Sequence, residues 1–162
     1  MKACANHRGF TLVEIMIVVL IIGILAMMAR VTVKRINLRA RASTYRNDCR
    51  VFSAAFYHYA QEKGDFPADQ NGRKLFPTGM DGYLSPAQWL RVTPLGGDYD
   101  WDNKDATNSF GIRFKAAIRV NACTMSMTEL QQIDRWIDDG NVSTGTFRVT
   151  DAGATVFYVM EQ

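Results

Sequence analysis

Residues 9–29 read Gly9-Phe10-Thr11-Leu12-Val13-Glu14-Ile15-Met16-Ile17-Val18-Val19-Leu20-Ile21-Ile22-Gly23-Ile24-Leu25-Ala26-Met27-Met28-Ala29. From Phe10 to Ala29 the only charged side chain is Glu14. At ~1.5 Å of rise per residue, a helix of this length spans about 30 Å, the thickness of a bilayer's hydrocarbon core. The run is apolar on every face, which argues against the core helix of a globular domain. A secretory signal peptide would carry an apolar core of roughly 7–15 residues and then a small-x-small cleavage site. Ala26 to Ala29 offers no Ala-x-Ala, and Glu14 falls where such a core excludes charge. A carboxylate in the first turn of a membrane helix is costly, so it demands a function.

Helical patterning continues past the apolar run. Leu38, Ala42, Tyr45, Cys49, Phe52, Phe56 and Tyr59 recur at spacings of four and three, one apolar stripe. Arg39, Arg46, Asn47, Arg50 and Gln61 lie off that stripe. Gly64 and Pro67 supply a stop, and Lys63 suits the negative end of the helix dipole. The pattern predicts one helix from Phe10 to Lys63, with a membrane or assembly half (10–29) and an amphipathic half (30–63). All four prolines fall in residues 64–97, a turn-rich region in which Ser85-Pro86 caps a short helix through Trp89.

Residues 98–162 read as an antiparallel sheet with one inserted helix. Ile112, Phe114, Ala116, Ile118 and Val120 alternate with Arg113, Lys115, Ala117, Arg119 and Asn121, the signature of a half-buried strand. Thr128-Glu129-Leu130-Gln131 predicts a capping box opening a helix to about Asp139, closed by Gly140. Leu130, Ile133, Trp136 and Ile137 form its inner face. Phe147 and Val149 alternate with polar neighbours, and the turn Asp151-Ala152-Gly153 leads into Ala154–Met160, apolar on both faces. The expected fold is α+β, the sheet laid over the Leu38–Tyr59 stripe.

The chain has 162 residues and a net charge of +3, unevenly divided. Residues 10–62 carry +4 and residues 63–162 carry −3, so a basic stalk and an acidic head can attract one another between subunits. For Arg30, Lys34 and Arg35, contact with lipid headgroups is an equal use.

Gly9-Phe10-Thr11-Leu12-Val13-Glu14 resembles the processing and methylation motif of type IV pilins and of the pseudopilins of type II secretion. The resemblance implies a pilin-like fold and a cytoplasmic leader (1–9) removed by a prepilin peptidase between Gly9 and Phe10. It also implies N-methylation of Phe10 and a periplasmic head on a single-pass inner-membrane helix. Flanking charges alone would put the Arg30–Arg41 side in the cytoplasm; the peptidase's need to reach Gly9 argues the opposite. Gly82-Tyr83-Leu84, Pro94 to Trp101 and Phe66-Pro67 resemble segments of the major pseudopilin. Many relatives have proline where this chain has Val31. The implied role is a structural subunit of a secretion pseudopilus, with a type IV pilus subunit as the alternative. Implied partners are further copies of the chain, the peptidase, the inner-membrane assembly machinery and membrane lipid; no nucleic acid is expected.

Several residues stand out as candidates. Glu14 can pair with the amine freed at Phe10, its own or a neighbour's, because low dielectric strengthens a close ion pair. Asp98, Asp100, Asp102 and Asp105, with Asn103 among them, have the oxygen density that calcium favours. Position twelve counted from Asp98 is Ser109, so this is no EF-hand. The resemblance implies calcium in a head loop; the competing reading is a strand with Tyr99 and Trp101 inward and the aspartates in water. Cys4 leaves with the leader. Cys49 and Cys123 would reach an oxidising compartment, where they either pair, adding roughly 4 kcal/mol on chain-entropy grounds, or remain separate thiols. No phosphate loop, nucleophile elbow or CxxC argues for an enzyme. Trp89, Trp101 and Trp136 leave one rival, a membrane-tethered binding module.

Overall fold

The four-three and two-residue periods become one long helix, two short ones and four strands in a computed structural model of the chain. It describes residues 9–70, 73–107, 111–150 and 153–161; side chains are described there except at 28–31 and 104–107. The leader residues 1–8, including Cys4, lie outside this set, as do Asp151 and Ala152 of the expected turn. So do the side chains of Arg30, Val31 and Asp105. Helix α1 spans Leu12–Lys63, α2 Pro86–Trp89 and α3 Met127–Ile137. Strands β1 (Asp98–Thr107), β2 (Arg113–Asn121), β3 (Phe147–Thr150) and β4 (Thr155–Glu161) form one antiparallel sheet in the order β1-β2-β4-β3.

Two compact units divide the chain, one ending at Asn37 and one beginning at Leu38. In the first, the helical residues have no partner element: every described side chain from Leu12 to Asn37 is exposed.

The second unit is built on the apolar stripe. Leu38, Ala42, Tyr45, Cys49, Phe52 and Phe56 are buried in one cluster with Tyr99, Trp101, Ile118, Val120, Phe147 and Val156 of the sheet. Phe56 stacks on Trp101 with ring centroids 3.7 Å apart, Phe52 meets Tyr99 edge-on at 5.0 Å, and Tyr45 meets Phe147 at 5.9 Å. Each such aromatic pair adds about 0.5–1.5 kcal/mol to the burial itself. Gly64, at φ +87°, ends α1 in the left-handed conformation and donates its N–H to the Ala60 carbonyl at 2.9 Å. The turn-rich region then closes the cluster's edge: Trp89 is buried against Phe52 and Phe56, and its indole N–H donates to the Leu75 carbonyl at 2.8 Å. Gly97 (φ +74°) has to be glycine, since a Cβ there would lie 1.9 Å from the Asn121 carbonyl oxygen.

Three local expectations are corrected. Strand β2 is more buried than an alternating strand, because Ala117 and Asn121 are covered as well as Ala116, Ile118 and Val120. Phe114, Ala117, Phe157 and Val159 form a second apolar cluster. Helix α3 starts earlier than expected: Ser126, not Thr128, is its N-cap, exchanging bonds with Glu129 in the capping box. Its buried face is Leu130, Ile133 and Asp134, with Trp136 and Ile137 only partly covered.

Candidate functional site: the exposed apolar helix

A helix forms in the first unit because leucine and methionine favour it and no proline interrupts it. Hydration of its surface is what makes it unusual. Leu12 is 80% exposed, Leu20 65% and Met27 76%, with valines and isoleucines between them just as bare. Removing a single such side chain from water is worth about 1.5–3 kcal/mol, so the run as a whole represents tens of kcal/mol. Among the described residues α1 is the one helix long and apolar enough to cross a membrane. An apolar surface of this size has two physical destinations, lipid or the same surface of another copy.

The first turn holds the one charge. Thr11 Oγ1 accepts the Glu14 N–H at 3.3 Å, and a Glu14 carboxylate oxygen accepts the Thr11 N–H at 3.5 Å. This is the reciprocal capping pattern of a helix N-terminus, which gives the Thr11 N–H an acceptor and the Glu14 N–H a second one beside the Thr11 carbonyl. The carboxylate also faces the positive end of the helix dipole. Sequence reasoning gave Glu14 an ionic role and passed over this one, although Thr-x-x-Glu before an apolar run is its signature. Gly9 and Phe10 precede the helix, and both are exposed.

The other expected site residues fall in the head, where the structure gives most of them different company. Asp100 and Asp102 are buried, not in water, and both pair with the Arg119 guanidinium, at 3.3 Å for Asp102. Asp100 also accepts from Asn121 at 2.9 Å and from the Trp101 N–H at 3.0 Å. Asp98 pairs with Lys74 at 3.7 Å. Two of the aspartates that the sequence offered to an ion thus share the Arg119 guanidinium. Cys49 and Cys123 are free thiols. Cys49 lies on the buried α1 stripe, where desolvation pushes its thiol far above the ordinary range. Cys123 points its thiol at the Leu95 carbonyl, 3.3 Å away. Trp89 and Trp101 are core residues, so the tryptophans line no common binding surface.

One polar constellation went unread in the sequence. Asp48, on the buried side of α1, accepts from Arg91 through both oxygens at 2.5 Å and from the Tyr99 hydroxyl at 2.7 Å. It ties the segment before β1 to α1. Burial, then the bond to Asp48, push the Tyr99 hydroxyl far above its usual range.

With this geometry in view, comparison with known proteins is informative. Residues 4–29 match the prokaryotic N-terminal methylation motif. The chain is 34% identical over 107 residues to the type II secretion system core protein G of Pseudomonas aeruginosa, covering 59% of this chain and 73% of that protein. Among solved structures, the major type IV pilin PilA1 from Clostridium difficile superposes with a TM-score of 0.54 at 12% identity, over 79% of this chain and 98% of that one. The fold is that of a pilin: a long N-terminal helix carrying an antiparallel four-stranded sheet. The chain belongs to the type IV pilin-like prepilin family, as a pilin-like filament subunit. Within that family it is similar to type II secretion system core protein G.

Proposed function

We propose that this chain is a structural subunit of a type II secretion pseudopilus. The single observation that carries the reading is the 34% identity that spans 73% of a type II secretion core protein. The role is structural rather than catalytic. A prepilin peptidase cuts between Gly9 and Phe10 on the cytoplasmic side, and the new amine of Phe10 is methylated. The precursor waits in the inner membrane with its head in the periplasm, and assembly transfers the apolar helix from lipid to neighbouring copies. That exchange is nearly neutral in hydrophobic terms, so the direction of assembly depends on polar pairing at Glu14.

Deletion of the gene in its host tests the assignment. A pseudopilus subunit predicts loss of exported proteins from the medium, with surface fibres and twitching unchanged. Normal export together with lost fibres would transfer the chain to a type IV pilus.

A further inference from the structure

Three arginines of the head converge on one cavity. Arg39, Ala42, Ser43 and Arg46 are spaced by three, one and three residues, so they share one face of α1. That face and the end of α3 enclose a space of about 410 Å³, which Arg135, Trp136 and Ile137 close from the α3 side. Its floor is apolar, since Ala42 is buried and Trp136 and Ile137 pack half-covered on the core cluster. Its charges have one sign: three guanidinium groups line it beside the Ser43 hydroxyl, and among the described residues no acidic side chain does. Among those residues none of the three arginines forms an ion pair or a hydrogen bond within the chain. Elsewhere in the head Asp48, Asp100 and Asp102 each pair with an arginine. The acids next to the cavity in sequence, Asp138 and Asp139, are engaged by the Thr146 and Thr144 hydroxyls at 3.1 and 2.7 Å. Three like charges around one space repel one another, and an anion among them turns that repulsion into attraction.

We propose that this cavity binds the phosphate group of an anionic phospholipid at the membrane surface. A guanidinium donates two parallel N–H bonds to phosphate oxygens, and guanidiniums carried on two helices can surround one tetrahedral anion. The apolar floor suits what is attached to that phosphate: an indole is at home at headgroup depth, and the carbons of a glycerol backbone can lie on Trp136 and Ile137. Position agrees with chemistry. Arg39 follows Ala29, the last residue of the apolar run, by ten residues. Even fully extended, ten residues reach only ~35 Å, so the tether alone keeps the cavity near the headgroups of the bilayer that holds the run. Carboxylates of a second copy would satisfy the same charges, but an anchored chain meets lipid phosphates at a far higher local concentration. The inference rests on the membrane placement proposed above and not on the choice between pseudopilus and pilus. It gives that placement a further consequence: the bound lipid holds the head to the membrane surface, and a subunit releases it on entering the filament.

The test is native mass spectrometry of the full chain in a neutral detergent, with phosphatidylglycerol or phosphatidylcholine added to the micelles. The parent should retain phosphatidylglycerol in preference to phosphatidylcholine by about tenfold or more, since each basic residue near anionic lipid is worth roughly fivefold. Arg39→Gln with Arg135→Gln, both at exposed positions, should keep the parent's Tm and lose about tenfold of that preference. Arg50→Gln with Arg73→Gln removes the same charge from exposed positions outside the cavity and should lose less than about threefold. No preference in the parent, or equal losses from the two pairs, overturns the site. Glycerol 3-phosphate offers the phosphate without acyl chains and should displace the lipid only in large excess; displacement at the lipid's own concentration overturns the lipid as the source. Self-association that the Arg39 and Arg135 pair abolishes, without any lipid preference, would give the cavity to a second copy instead. Binding is read on the purified chain, so its failure leaves the export phenotype, and with it the proposed function, standing.

Discussion

Between Leu12 and Asn37, α1 leaves every described side chain in the open; between Leu38 and Phe56 it buries a side chain every three or four residues. The two stretches share a helix, a period and a liking for aliphatic and aromatic residues. They differ in whether the partner surface belongs to the same chain. In the second stretch the sheet supplies it, so the sequence can afford arginines on the far side. In the apolar run of the first, which ends at Ala29, the partner is lipid or another copy, approached from any direction, so no side of that run is polar beyond Glu14. The stability of the head and the assembly of the filament are thus encoded in separate lengths of one element, and substitutions should sort accordingly.

The sharpest separation comes from the processing site. Gly9→Val should leave the head folded and stop maturation outright, so intact-mass measurement finds only precursor in the membrane where the parent yields a chain beginning at N-methyl-Phe10. A parent beginning at Met1 would break the proposed division at its root. Next is Glu14→Ala, which leaves the Phe10 amine without a buried counter-charge at a cost of ~3–5 kcal/mol, a hundred-fold or more in each addition step. Filament yield should collapse while cleavage proceeds; normal filaments would assign assembly to apolar packing alone. The N-terminal cap is lost too, but at about 1 kcal/mol that alone cannot account for a collapse.

A paired substitution sharpens the comparison itself. Phe56→Ala, in the stripe, removes the ring stacked on Trp101 and should cost the head about 3–5 kcal/mol, read as a lower denaturation midpoint. Ile17→Ala, in the exposed run, should leave that midpoint where it was. Equal effects would mean that the two stretches are not separate in function. A smaller loss than that at Phe56 is expected at Asp48, where alanine leaves Arg91 and the Tyr99 hydroxyl without their acceptor and should cost about 1–3 kcal/mol. Asp48→Asn, which keeps one acceptor for that hydroxyl, should cost less.

Periodicity made most of the fold legible. The stripe from Leu38 to Phe56, the short helix at Ser85-Pro86 and the doubly covered strand through Phe157 are all found where spacing and turn chemistry put them. What periodicity misplaced were the acids. Asp48 and Asp134 drew no reading from spacing, and Asp100 and Asp102 read as calcium ligands or as solvated side chains, yet all four are buried. Three are inside because of an arginine, Arg91 for Asp48 and Arg119 for Asp100 and Asp102. Such a pairing depends on strand register and loop path, which no local pattern contains. The α3 cap slipped for a related reason: Ser126 and Thr128 are both good N-caps, and the choice of Ser126 rests on Glu129 lying three residues on. At the candidate site, Gly9, Phe10 and Glu14 stood out because they belong to one short string within the matched methylation motif.

The bareness of the first stretch also constrains how copies can sit together. A rod that is equally oily all round gives a neighbour no reason to prefer one rotation or one height, so sliding and rolling past it are cheap. From Leu12 to Ala29 the Glu14 carboxylate, seated in the opening turn against Thr11, is the one graduation on an otherwise unmarked ruler. On the proposed assembly, a stack of such rods is registered at one end and compliant along the rest. A fibre built this way can stretch and shear under load without any subunit losing its place.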